Sequence, residues 1–181
     1  MLSPAEVARL YDEIPAVCAI KAGSMQPWHT KQTKALAPGM VVWECDTTVY
    51  PAGWLRHGLT SKVQMGTVSY LLETPAHRQV THYWELIWND ELSEAIDYGV
   101  SSGLDELQGA LTRYWTCAPE RPDYFTHWGG AFKCAAAQLG LSVGDFPDSR
   151  PPQQAVTEAV AKSIREIYES SALADDLVPI T

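Results

Sequence analysis

The stretch QVTHYWELIW, Gln79–Trp88, is dominated by β-branched, aromatic and aliphatic side chains. That composition suits a pleated, half-buried surface. Read at a period of two, it places His82, Trp84, Leu86 and Trp88 in one row. Two stretches upstream read the same way. Residues 40–50, MVVWECDTTVY, are β-branched and aromatic and are closed by Pro51 and Gly53. Residues 62–73, KVQMGTVSYLLE, alternate Val63, Met65, Thr67 and Ser69 with Gln64, Gly66, Val68 and Tyr70. Residues 16–20 add a short fourth strand. The connection through Thr74, Pro75, Ala76 and His77 is short, and short connections between neighbouring strands predict antiparallel pairing. The expected fold is therefore α+β: an antiparallel β-meander of three to four strands, over about residues 16–88, packed against N-terminal and C-terminal helices.

The flanks read as helix. Ser3-Pro4-Ala5-Glu6 is a capping box with proline at the first helical position, and Val7, Leu10, Tyr11 and Ile14 follow at helical spacing until Pro15. Residues 21–39 show no period and carry Gly23, Pro27, Pro38 and Gly39, which predicts a long loop. Beyond the strands, Asn89 and Asp90 cap a helix to about Val100. A second capping box at residues 102–105 opens the next helix, whose buried face is Leu104, Leu107, Leu111 and Tyr114. Loops are expected at residues 117–123 and 144–152. Residues 132–139 read as helix ended by Gly140 and Leu141, and Val156, Val160, Ile164 and Ile167 mark an amphipathic helix to about Ser170. With no repeat and no low-complexity segment, residues 1–181 are expected to form a single domain with a flexible tail from about residue 172.

Composition narrows the function classes. The chain has 181 residues, 46% of them hydrophobic, which is the range of a folded domain. Its formal charge of −9 disfavours binding to phosphate backbones, so no nucleic-acid partner is expected. The charge is uneven: residues 21–82 carry six Lys/Arg against three Asp/Glu, and residues 83–181 carry six against sixteen. No apolar run reaches membrane-spanning length and no leader sequence stands at the start, so no membrane partner is expected. Cys18, Cys45, Cys117 and Cys134 are far apart without a CxxC pair. That argues against a structural metal site and for a reduced, cytoplasmic protein. P-loop, dinucleotide-binding, zinc-protease and hydrolase-elbow motifs are all missing, so no cofactor and no metal are expected.

Two sets of candidate site residues remain. The acidic run Glu85, Asp90, Glu91, Glu94 and Asp97, with the loop tryptophans Trp28 and Trp54, suits a docking surface for a basic protein partner. On that reading the chain is a non-catalytic, acidic, tryptophan-rich binding module: an inhibitor, an immunity-type antagonist or an adaptor. Glu44 and Asp46, two apart on a strand pattern, together with His82, His127 and Cys134, are instead the polar groups of a small enzyme or ligand-binding protein with an aromatic-lined pocket between sheet and helices. A structural subunit of a larger assembly is the third reading. The oligomeric state is left open by the sequence.

Overall fold

The computed structural model describes residues 2–22, 27–44, 51–58, 69–112, 114, 124–143 and 156–179, with backbone alone at residues 22, 27, 43, 44, 51, 54 and 124–128. By contact the chain divides into two compact units, Met1–Gly66 with Trp84–Asp97, and Thr67–Tyr83 with Tyr98–Thr181.

The first unit begins with α1, Pro4–Glu13. The Ser3 hydroxyl accepts from the Glu6 amide at 3.3 Å, and the Glu6 carboxylate accepts from the Ser3 amide at 2.7 Å, completing the capping box. That backbone bond to Ser3 holds the Glu6 carboxyl below the usual carboxylate range. Next come β1 (Ala19–Ala22), α2 (Pro27–Leu36) and β2 (Val41–Glu44). The two strands pair in parallel, Ala19 beside Val41, Ile20 beside Val42, Lys21 beside Trp43 and Ala22 beside Glu44. A parallel pair needs a crossover, and α2 supplies it as a βαβ unit. Val7 and Ala8 of α1 pack with Ala37 and Met40, and Tyr11, Val17 and Ile20 lie against this core. Gly39 has no side chain to displace the Tyr11 hydroxyl, which a Cβ at that position would strike. A short helix α3, Pro51–Arg56, follows.

Helix α4, Gln79–Trp88, ends at a turn where Asp90 takes a left-handed φ of 65°, a conformation aspartate tolerates better than most residues. The Glu91 amide donates back to the Leu86 carbonyl at 2.9 Å. Helix α5, Leu92–Ser101, runs on from there.

The second unit holds α6 (Leu104–Thr112), α7 (Tyr124–Gln138) and α8 (Glu158–Glu169), with 3-10 turns at Ser69–Leu71 and Ala174–Asp176. Helix α8 packs on α6 and α7. Leu71, Leu104, Leu111, Cys134, Ile164 and Tyr168 are among the fully buried side chains of this unit. Gly140 closes α7 with φ 76°, and the Leu141 amide returns to the Ala136 carbonyl at 3.0 Å, as the Gly-Leu pattern predicts. The buried Tyr168 hydroxyl donates to the Leu71 carbonyl at 2.9 Å. Burial pushes this phenol far above the usual tyrosine range, so it stays a neutral donor. Tyr168→Phe strands that carbonyl and is expected to cost about 1–3 kcal/mol in urea unfolding; a loss within error would show that the carbonyl finds another donor.

Asp176 ties the segment after α8 to the turn before α4. Its carboxylate accepts from the Thr74 hydroxyl and, at 2.7 Å, from His77 Nδ1. These bonds, Thr74 first, hold its pKa below the usual carboxylate value. A carboxyl lowered on folding adds stability that is complete above its unfolded pKa and is lost as pH falls through the folded value. The melting-temperature gap between the native chain and Asp176→Asn is therefore expected at pH 6 and is expected to close as the pH drops below the carboxylate range. A gap that persists at pH 2 would count against the assignment.

The antiparallel meander is thus corrected. Among the described residues the chain has eight α-helices and one parallel pair of four-residue strands. Gln79–Trp88 is helix because Gln79, Val80, Tyr83 and Ile87, the buried side chains, recur at helical spacing. Its aromatic and β-branched composition satisfied both periods, and the helix buries the better set. In residues 40–50 the strand covers Val41–Glu44, and residues 45–50 lie outside those described. In residues 62–73 the segment Ser69–Leu71 is a 3-10 turn, and residues 62–68 lie outside those described. The long loop expected at residues 21–39 contains α2. That helix hides from a hydrophobicity reading because the side chains it buries are His29, Thr30 and Thr33, while Trp28 and Leu36 are exposed.

Candidate functional site

Alternation along β1 decides where its one charged side chain goes. Ile20 packs against the α1–α2 core, and its register partner Val42 is fully buried. Successive residues of a strand point to opposite faces. Lys21 therefore stands on the sheet face turned away from α1 and α2, and it is exposed. It is the penultimate residue of the strand, beside Trp43 in the register, at the end from which the chain leaves toward α2. Parallel sheets are normally covered on both faces, and on this face Ala19 and Val41 are half-buried while the Lys21 amine, near the carboxyl end of the strand, is exposed. An amine so placed can add to a carbonyl and form an imine.

Lys21 escaped the sequence reading because residues 21–39 read as loop. The signal was present as the lone lysine of the apolar run AVCAIKA at residues 16–22, a few residues before the Pro27 that opens a helix.

The residues that the sequence did nominate scatter. Trp28 is exposed on α2 with its ring edge-on to His29, at 5.7 Å between centroids. Trp54 lies on α3, its side chain outside the described set. Glu85 is exposed on α4, Asp90 and Glu91 in the following turn, and Glu94 and Asp97 on α5. Glu44 ends β2 beside Ala22, Asp46 lies outside the described residues, and His127 is on α7 without a described side chain. His82 is exposed and meets Tyr98 edge-on at 4.6 Å. Cys134 is fully buried and accepts from Gln138 Nε2 at 3.4 Å. Burial pushes its thiol above the usual range, which keeps it protonated and poorly nucleophilic. Among the described residues, no three His, Cys, Asp or Glu are grouped to hold a metal ion. No described helix is long and apolar enough to cross a membrane.

No protein-family model matches the chain, and no curated protein matches it. Solved structures do. A dihydrodipicolinate synthase family protein from Coccidioides immitis superposes with a TM-score of 0.66 at 16% identity, covering 98% of this chain and 53% of that one. The dihydrodipicolinate synthase of Thermotoga maritima gives 0.62 at 14% identity, covering 94% and 51%. A variant of the 2-keto-3-deoxygluconate aldolase of Sulfolobus solfataricus gives 0.59 at 19% identity, covering 90% and 47%. The likeness is one of fold, that of the TIM-barrel aldolases, and the chain spans about half the length of the structures it matches. These findings overturn the expectation of an α+β, non-catalytic binding protein of the inhibitor, antagonist or adaptor kind. The acidic run that motivated it is the exposed surface of two helices and the turn between them.

Proposed function

We propose that this chain forms part of an aldolase-type enzyme that handles a 2-oxo acid through an imine on Lys21. In a TIM barrel the strands are parallel, the helices form the outer ring, and catalytic groups sit at the carboxyl ends of the strands on the side away from the helices. Lys21 is exposed at the carboxyl end of β1, on the face opposite helix-packed Ile20, and that placement carries the reading. The names of the similar structures supply the substrate class: one is an aldolase of a 2-keto sugar acid.

The chemistry follows from the amine. A neutral Lys21 Nζ adds to the C2 carbonyl of the acid, and loss of one water leaves a protonated imine. The imine draws the electron pair of the C3–C4 bond toward nitrogen. As that bond breaks, the C4 hydroxyl gives its proton to water and becomes the carbonyl of a released aldehyde, leaving an enamine. Protonation at C3 by water and hydrolysis of the imine return the shorter 2-oxo acid and the free lysine. In reverse, the enamine attacks an aldehyde and builds the bond. The free thiols of Cys18 and Cys134 support a reducing, cytoplasmic setting.

Borohydride reduction in the presence of pyruvate tests the proposal. The expected result is a covalent adduct on the peptide containing Lys21, seen by mass spectrometry. No adduct, or an adduct confined to other lysines, overturns it.

A further inference from the structure

We propose that copies of this chain associate head to tail, the outer face of α2 on one copy docking against the α4–α5 corner of the next. The two surfaces belong to the same compact unit. On α2 the side chains of Trp28, Lys31, Gln32, Ala35 and Leu36 are all exposed, Trp28 and Leu36 to 54% each. Their spacing of three, four, seven and eight residues from Trp28 places them along one stripe of the helix. Helix α2 contains two lysines and no acidic residue. Lys34 is turned inward, donating to the Met40 carbonyl at 3.0 Å, which leaves Lys31 as the charge of the stripe.

The corner has the opposite character. Trp88 ends α4 with 62% of its surface exposed, and Glu91, Glu94 and Asp97 are exposed beyond it. No Lys or Arg occurs between Arg78 and Arg113. Exposed tryptophans on helix surfaces mark contact sites more often than scattered aliphatics do, and tryptophan dominates binding hot spots.

Charge selects the arrangement. An isologous contact of α2 on α2 would bring like lysines toward each other, and corner on corner would oppose the carboxylates. The contact of α2 on the corner joins an apolar basic stripe to an apolar acidic one. Such a contact is heterologous, and it propagates into a ring or an open filament.

Sedimentation velocity on the full chain, at low and high salt and rising concentration, tests this. The native chain is expected to form oligomers that dissociate in high salt, where screening shortens to about 3 Å. Lys31→Glu alone and the pair Glu91→Lys with Glu94→Lys alone are each expected to weaken association about tenfold or more, with circular dichroism unchanged. Mixing the two variants is expected to restore it, because each then offers the surface complementary to the other. Trp88→Ser is expected to weaken association at every salt concentration at which the native chain associates. A native chain that stays monomeric throughout overturns the proposal. So does undiminished association in either charge variant, or a mixture that stays monomeric.

Discussion

On the proposed function, Lys21→Ala is expected to remove turnover of 2-oxo acids by about a thousandfold or more, because the amine that forms the imine is gone. Lys21→Arg is expected to be as inactive. The guanidinium keeps the charge and the length but holds its proton at every working pH and offers no nucleophilic nitrogen. The comparison matters, since a lysine that merely attracted the substrate carboxylate would be replaced by arginine with little loss. Lys162→Ala is the control. Lys162 is exposed on α8, 3.8 Å from Glu166, and serves no site on this reading. The measurement is steady-state cleavage of 2-keto-3-deoxygluconate and its formation from pyruvate and an aldehyde, at saturating and limiting substrate. Loss of kcat in both Lys21 variants, with circular dichroism unchanged, is the expected pattern. A Lys21→Arg variant with near-native kcat sinks the imine.

Ile164→Ala is expected to be the most damaging of the simple core truncations, at about 3 kcal/mol, within the range of about 2–5 for a buried aliphatic cut to alanine. Ile164 is fully buried on α8, and α8 is the helix that packs on both α6 and α7. The truncation would therefore leave a cavity on the helix that holds α6 and α7 together. For a chain of this size that corresponds to a fall in Tm on the order of 10 °C. Lys162→Ala, two residues away on the exposed side, is expected to stay within about 0.5 kcal/mol. Urea titration of the three proteins checks both numbers, and near-equal midpoints would show that the α8 seam collapses onto the lost volume.

How much of this the sequence disclosed follows from what each element buries. Helix α1 was legible from the Ser3–Glu6 capping box and from Val7, which faces the core, while Ile14, expected on the same face, is exposed just past the helix end. Helix α8 was legible too: Ile164 and Ile167 lie inside as their spacing predicts, with Val160 half-buried, whereas the buried Tyr168 and the Thr157 cap were not read. Helix α2 was not, since its inner face is polar and its outer face carries Trp28 and Leu36, which inverts the pattern a hydrophobic period detects. Helix α4 failed for the opposite reason: apolar side chains stand on so many positions that a period of two fits nearly as well as one of 3.6. The site was lost with α2. Once residues 21–39 read as loop, Lys21 became one basic residue among thirteen Lys and Arg. Recognised as strand, helix, strand, the same residues point to a βαβ unit, where the lysine at the end of the first strand is the residue to examine.

The pairing of Ile20 with Val42 and of Lys21 with Trp43 makes the site a matter of parity. A strand has two faces, so a deletion or insertion of one residue before Lys21 exchanges them: the amine would turn toward Val7 and Ala37, and an aliphatic side chain would take its place. Substitutions around the lysine can accumulate one at a time, each weakening packing by a little. A single-residue indel within residues 17–21 admits no such gradation, since it buries a charge and empties the site in one step. Length variation in this chain is therefore expected to concentrate in its connections, with the count of residues from Val17 to Lys21 held fixed.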